Sequence, residues 1–234
     1  MITTNAIRRV FNVRYGGGTG TAFAIDYEGR QYLVSAKHVF PDLTENGTIE
    51  IKHEGNWKTL EVTVTGRAAG KLDVIVLSPS TRLSPAFDLP LASGGMVLGQ
   101  DVHFLGFPYG LSTAAGEINN DLPVPLIKKA CISGKIGDRK ESYWLLDGLN
   151  NPGFSGGPVV FSKVHGNDRE TLYVMAIISA YRVHEEPVYQ NGTPLPINSR
   201  SNTGIVIAYD SDIARDLIIR NPNGLKLEEG EQDA

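Results

Sequence analysis

A serine set among glycines, in Gly153-Phe154-Ser155-Gly156-Gly157-Pro158, lies downstream of a histidine and an aspartate that each border an apolar run. His38 follows Tyr32-Leu33-Val34 in the segment Ser35-Ala36-Lys37-His38-Val39-Phe40, and Asp73 heads Val74-Ile75-Val76-Leu77. A serine hydroxyl is a weak nucleophile near neutral pH, and it needs an imidazole to take its proton as it attacks a carbonyl. The imidazole in turn needs a carboxylate on its other nitrogen, which fixes the tautomer and steadies the cation that forms. Charge developing on the attacked oxygen needs fixed donors, and backbone N–H groups supply them where glycine permits close approach. On this chemistry His38 is the base, Asp73 its orienting carboxylate and Ser155 the nucleophile, with the amides of Gly153 and Ser155 as oxyanion donors. Each residue alone has a blander role, as a turn, a cap or a packed side chain. Their order and the strand patterns beside them favour the catalytic one.

Gly153-x-Ser155-x-Gly157 also fits the nucleophile elbow of α/β-hydrolases, a strand-to-helix turn whose acid and histidine follow the serine. That reading fails twice. Pro158 and the strand-like Val159-Val160-Phe161 stand where the helix is needed. Downstream, only Asp168 and His184 are on offer, both in polar, turn-rich sequence.

In chain order the three segments run His, Asp, Ser, and together they resemble the chymotrypsin/trypsin-like serine proteases, especially bacterial single-domain members without an activation peptide. The resemblance extends from about Gly16 to the region of Asn221, and Ser155-Gly156-Gly157-Pro158 is its strongest element. It implies two β-barrels with the active site in the cleft between them, and substrate bound as an added strand beside Ser179-Ala180-Tyr181. By position relative to Ser155, the pocket floor is Leu149. Leu149 offers no anion for an arginine or lysine side chain, so a small or medium apolar residue is expected before the scissile bond, with Tyr181 narrowing the entrance. Asp147, two residues earlier, is the anion that a shifted register would place there. Digestive relatives carry an aspartate before the serine that pairs with a newly cut N-terminus. Phe154 stands there instead, so activation by N-terminal cleavage is not expected, and the loop from Asn150 to Gly153 must be ordered by packing or by something bound.

The elements that must position these residues are legible as short β-rich runs between turn signals. Six precede residue 80: Val10 to Tyr15, Thr21 to Ile25, Tyr32 to Ala36, Thr48 to Lys52, Leu60 to Thr65 and Val74 to Leu77. Six more are Val102 to Leu105, Ala130 to Ile136, Tyr143 to Leu146, Pro158 to Phe161, Leu172 to Ala180 and Gly204 to Tyr209. The expected fold is therefore all-β: two six-stranded antiparallel β-barrels, at 1–80 and 96–209, joined by a Pro/Gly-rich connector at 81–95. An amphipathic helix follows at 210–221, capped by Asp210 or Ser211 and stopped by Asn221-Pro222-Asn223-Gly224. Residues 222–234 form an acidic tail with little to bury, expected to be disordered. The stretch between Tyr181 and Thr203 is long for a hairpin connection and reads as a surface excursion that shapes the cleft wall or meets a partner.

A chain of 234 residues can bury a large core, and 26 glycines with 13 prolines suit many strands joined by turns. A net charge of −4 with no Lys/Arg cluster argues against nucleic acid as a partner. No run of 18 or more apolar residues occurs and the N-terminus lacks an apolar stretch after its positive charges, so no membrane association and a cytoplasmic location are expected. The single cysteine, Cys131, fits that placement and is expected as a buried filler. His53, His103, His165 and His184 lack metal-ligand spacing, and neither metal nor cofactor is expected. The function expected is a serine endopeptidase acting on peptides or proteins. Its rivals are a protease fold that captures a peptide without cutting it, and a latent protease switched on by a regulatory protein partner that orders Asn150 to Gly153.

Overall fold

The structure, a computed structural model, describes residues 1–85, 89–92, 94–113, 119, 122–138, 141–165 and 169–227. After a one-turn helix α1 (Thr4–Ile7) come six strands, β1 (Val10–Tyr15), β2 (Gly18–Tyr27), β3 (Arg30–Ser35), β4 (Asn46–His53), β5 (Asn56–Arg67) and β6 (Ile75–Pro79), with longer connections after β3 and β5. They pair antiparallel in the order β3-β2-β1-β4-β5-β6, and β6 returns to β3 to close an uneven ring. A second set, β7 (Asp101–Gly106), β8 (Leu126–Ile136), β9 (Tyr143–Asp147), β10 (Pro158–His165), β11 (Arg169–Gln190) and β12 (Thr193–Asp210), forms a closed antiparallel barrel in the order β10-β11-β12-β9-β8-β7. The expected all-β fold of two six-stranded units with a terminal helix is what the chain adopts.

The pleat explains why these runs became strands. In the first ring Phe11 and Val13, Ala22 and Ala24, Ile49 and Ile51, and Leu60 and Val62 point inward at every second residue. The intervening Val10, Phe23, Ile25, Val34 and Val76 face outward, yet they are equally buried because Leu105, Val160, Val174 and Ile177 of the second barrel cover them. Each such side chain contributes on the order of 1.5–3 kcal/mol by leaving water, so the contact between barrels is a core in its own right. Helix α2 (Ser211–Arg220) seats Ala214 and Ile218 on that shared core, and its N-terminal cap is Asp210, whose carboxylate accepts from the Asp212 N–H at 3.0 Å.

Three expectations need correction. The stretch between Tyr181 and Thr203 is no irregular excursion: β11 and β12 continue through it as a two-stranded ribbon paired out to Gln190 and Thr193. Strand β13 (Leu225–Lys226) pairs with β3, and the Leu227 N–H donates to Gly29 O at 2.9 Å, so the order of the chain outlasts the helix. Glu228 to Ala234 of the expected acidic tail lie outside the described residues. Cys131 is half-buried, because Ala130 and Ile132 on either side of it take the inward positions of β8.

Candidate active site

The β3–β6 register brings His38 and Asp73 to the same end of the first ring. Ser35 pairs with Ile75 in an antiparallel ladder, so the residues just beyond Ser35 and just before Ile75 emerge at the same end of the ring. The chain after β3 winds into a 3-10 turn, Lys37–Val39, which carries His38. Lys37 Nζ ties that turn to the approach to Asp73 by donating to Ala68 O at 2.9 Å and Gly70 O at 3.0 Å. Arg67 holds the chain beyond the histidine through Phe40 O and Leu43 O, both at 2.7 Å.

Asp73 uses both oxygens on its neighbours. Its Oδ2 lies 2.6 Å from His38 Nδ1 and accepts from Ser179 Oγ at 2.5 Å, while Oδ1 accepts the His38 backbone N–H at 2.9 Å. The Asp73 side chain is 14% exposed and that of His38 is 52% exposed, which gives a sheltered carboxylate beneath an imidazole open to the cleft. Burial pushes the Asp73 carboxyl up. The hydrogen bond and charge of His38, with the Ser179 hydroxyl and the His38 amide, outweigh that and hold it below the ordinary aspartate value. Asp73 is therefore ionised, as a group orienting an imidazole must be.

Ser155 reaches the cleft from the second barrel, on the loop before β10. Its Oγ donates to Ser179 O at 3.1 Å and not to His38, so the hydroxyl lies beside the pair without being engaged by the base. The loop itself is held from both barrels. Thr21 of β2 donates its N–H to Ser155 O at 2.8 Å and its Oγ1 to Gly153 O at 2.7 Å, and Oγ1 also accepts the Phe107 N–H at 3.1 Å. Gly156, at φ +85°, fits so closely that a Cβ there would lie 2.0 Å from Thr21 O.

The two amides named as oxyanion donors are free. Among the described residues, neither the Gly153 nor the Ser155 N–H has a protein acceptor. The orientation of the first follows from its neighbour: Pro152 O accepts the Tyr109 N–H at 2.8 Å, and a trans peptide points its C=O and N–H to opposite sides. Gly153, at φ +104°, leaves no room for a Cβ, which would meet Phe107 O at 2.3 Å. Lys128 Nζ braces the same loop, donating to Leu149 O and to Asn151 Oδ1, each at 2.6 Å. Asn151 passes the support on to the Tyr109 hydroxyl at 3.3 Å. Desolvation pulls the Lys128 ammonium below the usual lysine value. Phe154 is fully buried, edge-on to Phe104 with ring centroids 4.9 Å apart, so packing supplies the anchorage for which the digestive enzymes use an ion pair.

The residues expected to bind substrate divide. Ser179, Ala180 and Tyr181 run along β11 beside Ser155, with Ala180 exposed. Leu149 is 52% exposed, so it does not sit at the bottom of an enclosed hole. Asn150 is the buried member of that segment: its Nδ2 donates to Ala180 O at 3.2 Å, its backbone O accepts from Asn202 Nδ2 at 2.5 Å, and its Oδ1 is buried without a partner. The hydroxyl role of Ser179 had one sequence signal, a serine ending the apolar run Val174 to Ile178. Lys128, Tyr109 and Thr21 had none, since their partners lie far away in the chain.

Comparisons with known proteins agree with this architecture. The family described as trypsin-like peptidase domain matches residues 18–165. No curated protein matches the chain. Among solved structures, the chain is similar to the Rv3671c protease of M. tuberculosis in an inactive form, with a TM-score of 0.57 and 17% identity over 92% of this chain and 90% of that one. It is also similar to the HtrA-type protease AlgW with tripeptide, with a TM-score of 0.58 and 20% identity, covering 93% of this chain and 60% of that one.

Proposed function

The chain belongs to the trypsin-like peptidase domain family, and from that premise we propose that it is a serine endopeptidase working through His38, Asp73 and Ser155. The observation that carries the reading is the convergence of an ionised Asp73 on His38 with two unclaimed amides beside Ser155. His38 takes the Ser155 proton as Oγ adds to the scissile carbonyl, Asp73 steadies the imidazolium, and the N–H groups of Gly153 and Ser155 receive the oxyanion. His38 then protonates the leaving amine, leaving an acyl group on Ser155, and a water activated by the same imidazole releases it.

The resting hydrogen bond from Ser155 Oγ to Ser179 O fits this scheme. A substrate strand beside β11 offers its own N–H to Ser179 O, and the displaced hydroxyl swings toward His38. The same bond is the observation that favours the second reading, a latent or non-cleaving form in which a partner must make that switch. Residues for a cofactor are not required by any step.

The test is labelling by a fluorophosphonate serine-hydrolase probe, with wild type and Ser155→Ala in parallel. Labelling that requires Ser155 is the expected result. Its absence from a folded wild-type protein moves the assignment to the latent or binding form.

A further inference from the structure

Beyond Ile178, whose N–H and C=O still bond Gly157 O and the Gly156 N–H, strand β11 loses its neighbour on one side. It pairs with β10 only as far as the Pro158–Ile177 contact, while on its other side β12 accompanies it to Gln190. From Ser179 to Gln190 one edge of β11 therefore has no strand beside it among the described residues, and that edge begins at Ser155. A two-stranded ribbon with both faces in water is marginal by itself, and an open edge is a template for another strand.

Three hydrogen bonds fix which backbone groups face the open side. Ser179 O accepts from Ser155 Oγ, in the cleft. Ala180 O accepts from Asn150 Nδ2, and Arg182 O accepts from Thr203 Oγ1, both on the β12 side. Since the backbone groups of alternate residues point to opposite edges, Tyr181, Val183 and Glu185 direct N–H and C=O to the open one. Irregularities in register do not disturb this. Between Tyr181↔Val206 and Val183↔Asn202, and again between Pro187↔Asn198 and Tyr189↔Pro194, the extra residues lie on β12, so β11 keeps its alternation from Ala180 to Pro187. Pro187 has no N–H and ends the run of donors.

We propose that the ribbon is an extended substrate-binding edge, on which an unfolded polypeptide pairs antiparallel with β11 well beyond the residues next to the scissile bond. This rests on the endopeptidase reading only for the position of that bond. With the first residue before the bond at Ser179, the third lies at Tyr181, the fifth at Val183 and the seventh at Glu185. The fifth and seventh residues must then carry a free N–H, whereas the fourth, sixth and eighth face solvent and tolerate its loss. The fifth residue is apolar, because Val183 opposite it presents a side chain that is 47% exposed. At the seventh, Glu185 is already occupied by Arg200 at 2.6 Å and imposes no charge. The preferred ligand is an extended protein segment with β-prone residues upstream of the cut. The continuity of the edge with Ser179 argues for substrate there, and a second copy of this chain is the competing occupant.

The experiment measures binding on Ser155→Ala protein, so that it does not depend on turnover. Fluorescein-labelled Thr-Val-Thr-Val-Thr-Val-Ala-Leu-amide is compared by anisotropy with Thr-Val-Ala-Leu-amide. Two added backbone pairs should tighten binding by about tenfold or more. N-methylation of the fifth residue from the C-terminus should abolish that gain, and N-methylation of the sixth should leave it. Equal affinity of the long and short peptides, equal effects of the two methylations, or no binding of either peptide overturns the proposal. Dimerisation that Val183→Pro abolishes and the long peptide does not compete with assigns the edge to a second copy and also overturns it. Fluorophosphonate labelling of wild type is scored separately, so failure of the extended edge is distinguished from failure of the catalytic assignment.

Discussion

Replacing Lys128 by methionine keeps a long apolar stem and removes only the ammonium that braces the loop before Ser155. Two bonds are lost, to Leu149 O and Asn151 Oδ1, each 2.6 Å long. A hydrogen bond from a charged donor is worth roughly 1.5–3 kcal/mol where water cannot replace it. Lys128 is only half-buried, and water can reach both acceptors, so roughly 1–2 kcal/mol for the pair is the reasoned net loss. On the proposed mechanism the loop positions the Gly153 N–H as a donor used in the transition state and little in the ground state, so the loss falls on kcat and spares KM. At about 1.4 kcal/mol per tenfold, kcat falls about tenfold, well short of the 10²–10³ that outright removal of an oxyanion donor costs. The assay is steady-state hydrolysis of a peptide substrate, paired with the second-order rate of fluorophosphonate inactivation. Lys128→Arg should restore most of both, because it returns the charge and the donors. A raised KM with unchanged kcat, or an unchanged inactivation rate in a folded Lys128→Met protein, refutes the argument.

On the proposed mechanism Asp73→Asn puts an amide against His38 Nδ1 and loses the tautomer a base needs there, so kcat/KM should drop by on the order of 10⁴ with the fold intact by circular dichroism. Because the Asp73 carboxyl is held below its ordinary value, the stability it contributes is present above about pH 4 and is lost as pH falls through the folded value. The gap in thermal midpoint between wild type and Asp73→Asn should therefore narrow on acidification, and a gap that widens in acid contradicts the assignment. Thr21→Val keeps the shape of a fully buried side chain but strands Gly153 O and the Phe107 N–H, costing roughly 2–4 kcal/mol for the two groups. Urea denaturation should show a clearly lowered midpoint, and a midpoint equal to wild type rules this out.

The legible parts of the molecule were those whose partners follow from periodicity. All twelve barrel strands carry apolar residues at spacing two, and His38 and Asp73 could be matched because each borders such a run. The ribbon beyond Tyr181 was not legible, because a strand with both faces in water has no hydrophobic alternation, and Val183, Glu185 and Tyr189 look like loop residues. Strand β13 is too short to carry a pattern. The braces of the serine loop were invisible for another reason. Lys128 and Asn151 are 23 residues apart, and Thr21 and Gly153 are 132 apart, so nothing local marks them as partners. Phe154 was legible in part: a residue unable to form an ion pair left packing or something bound to order the loop, and the structure packs Phe154 edge-on to Phe104.

The contact between Thr21 and the Gly153–Ser155 backbone also ties the serine loop to the docking of the two barrels. His38 and Asp73 come from the first 80 residues and Ser155 from the rest, and the Gly153–Ser155 backbone is hydrogen-bonded to Thr21 of β2. On the proposed function, a chain whose barrels are not docked carries Ser155 without the Thr21 contacts that hold its loop. Docking of the two barrels and readiness to cut are therefore, on the proposed function, one and the same event.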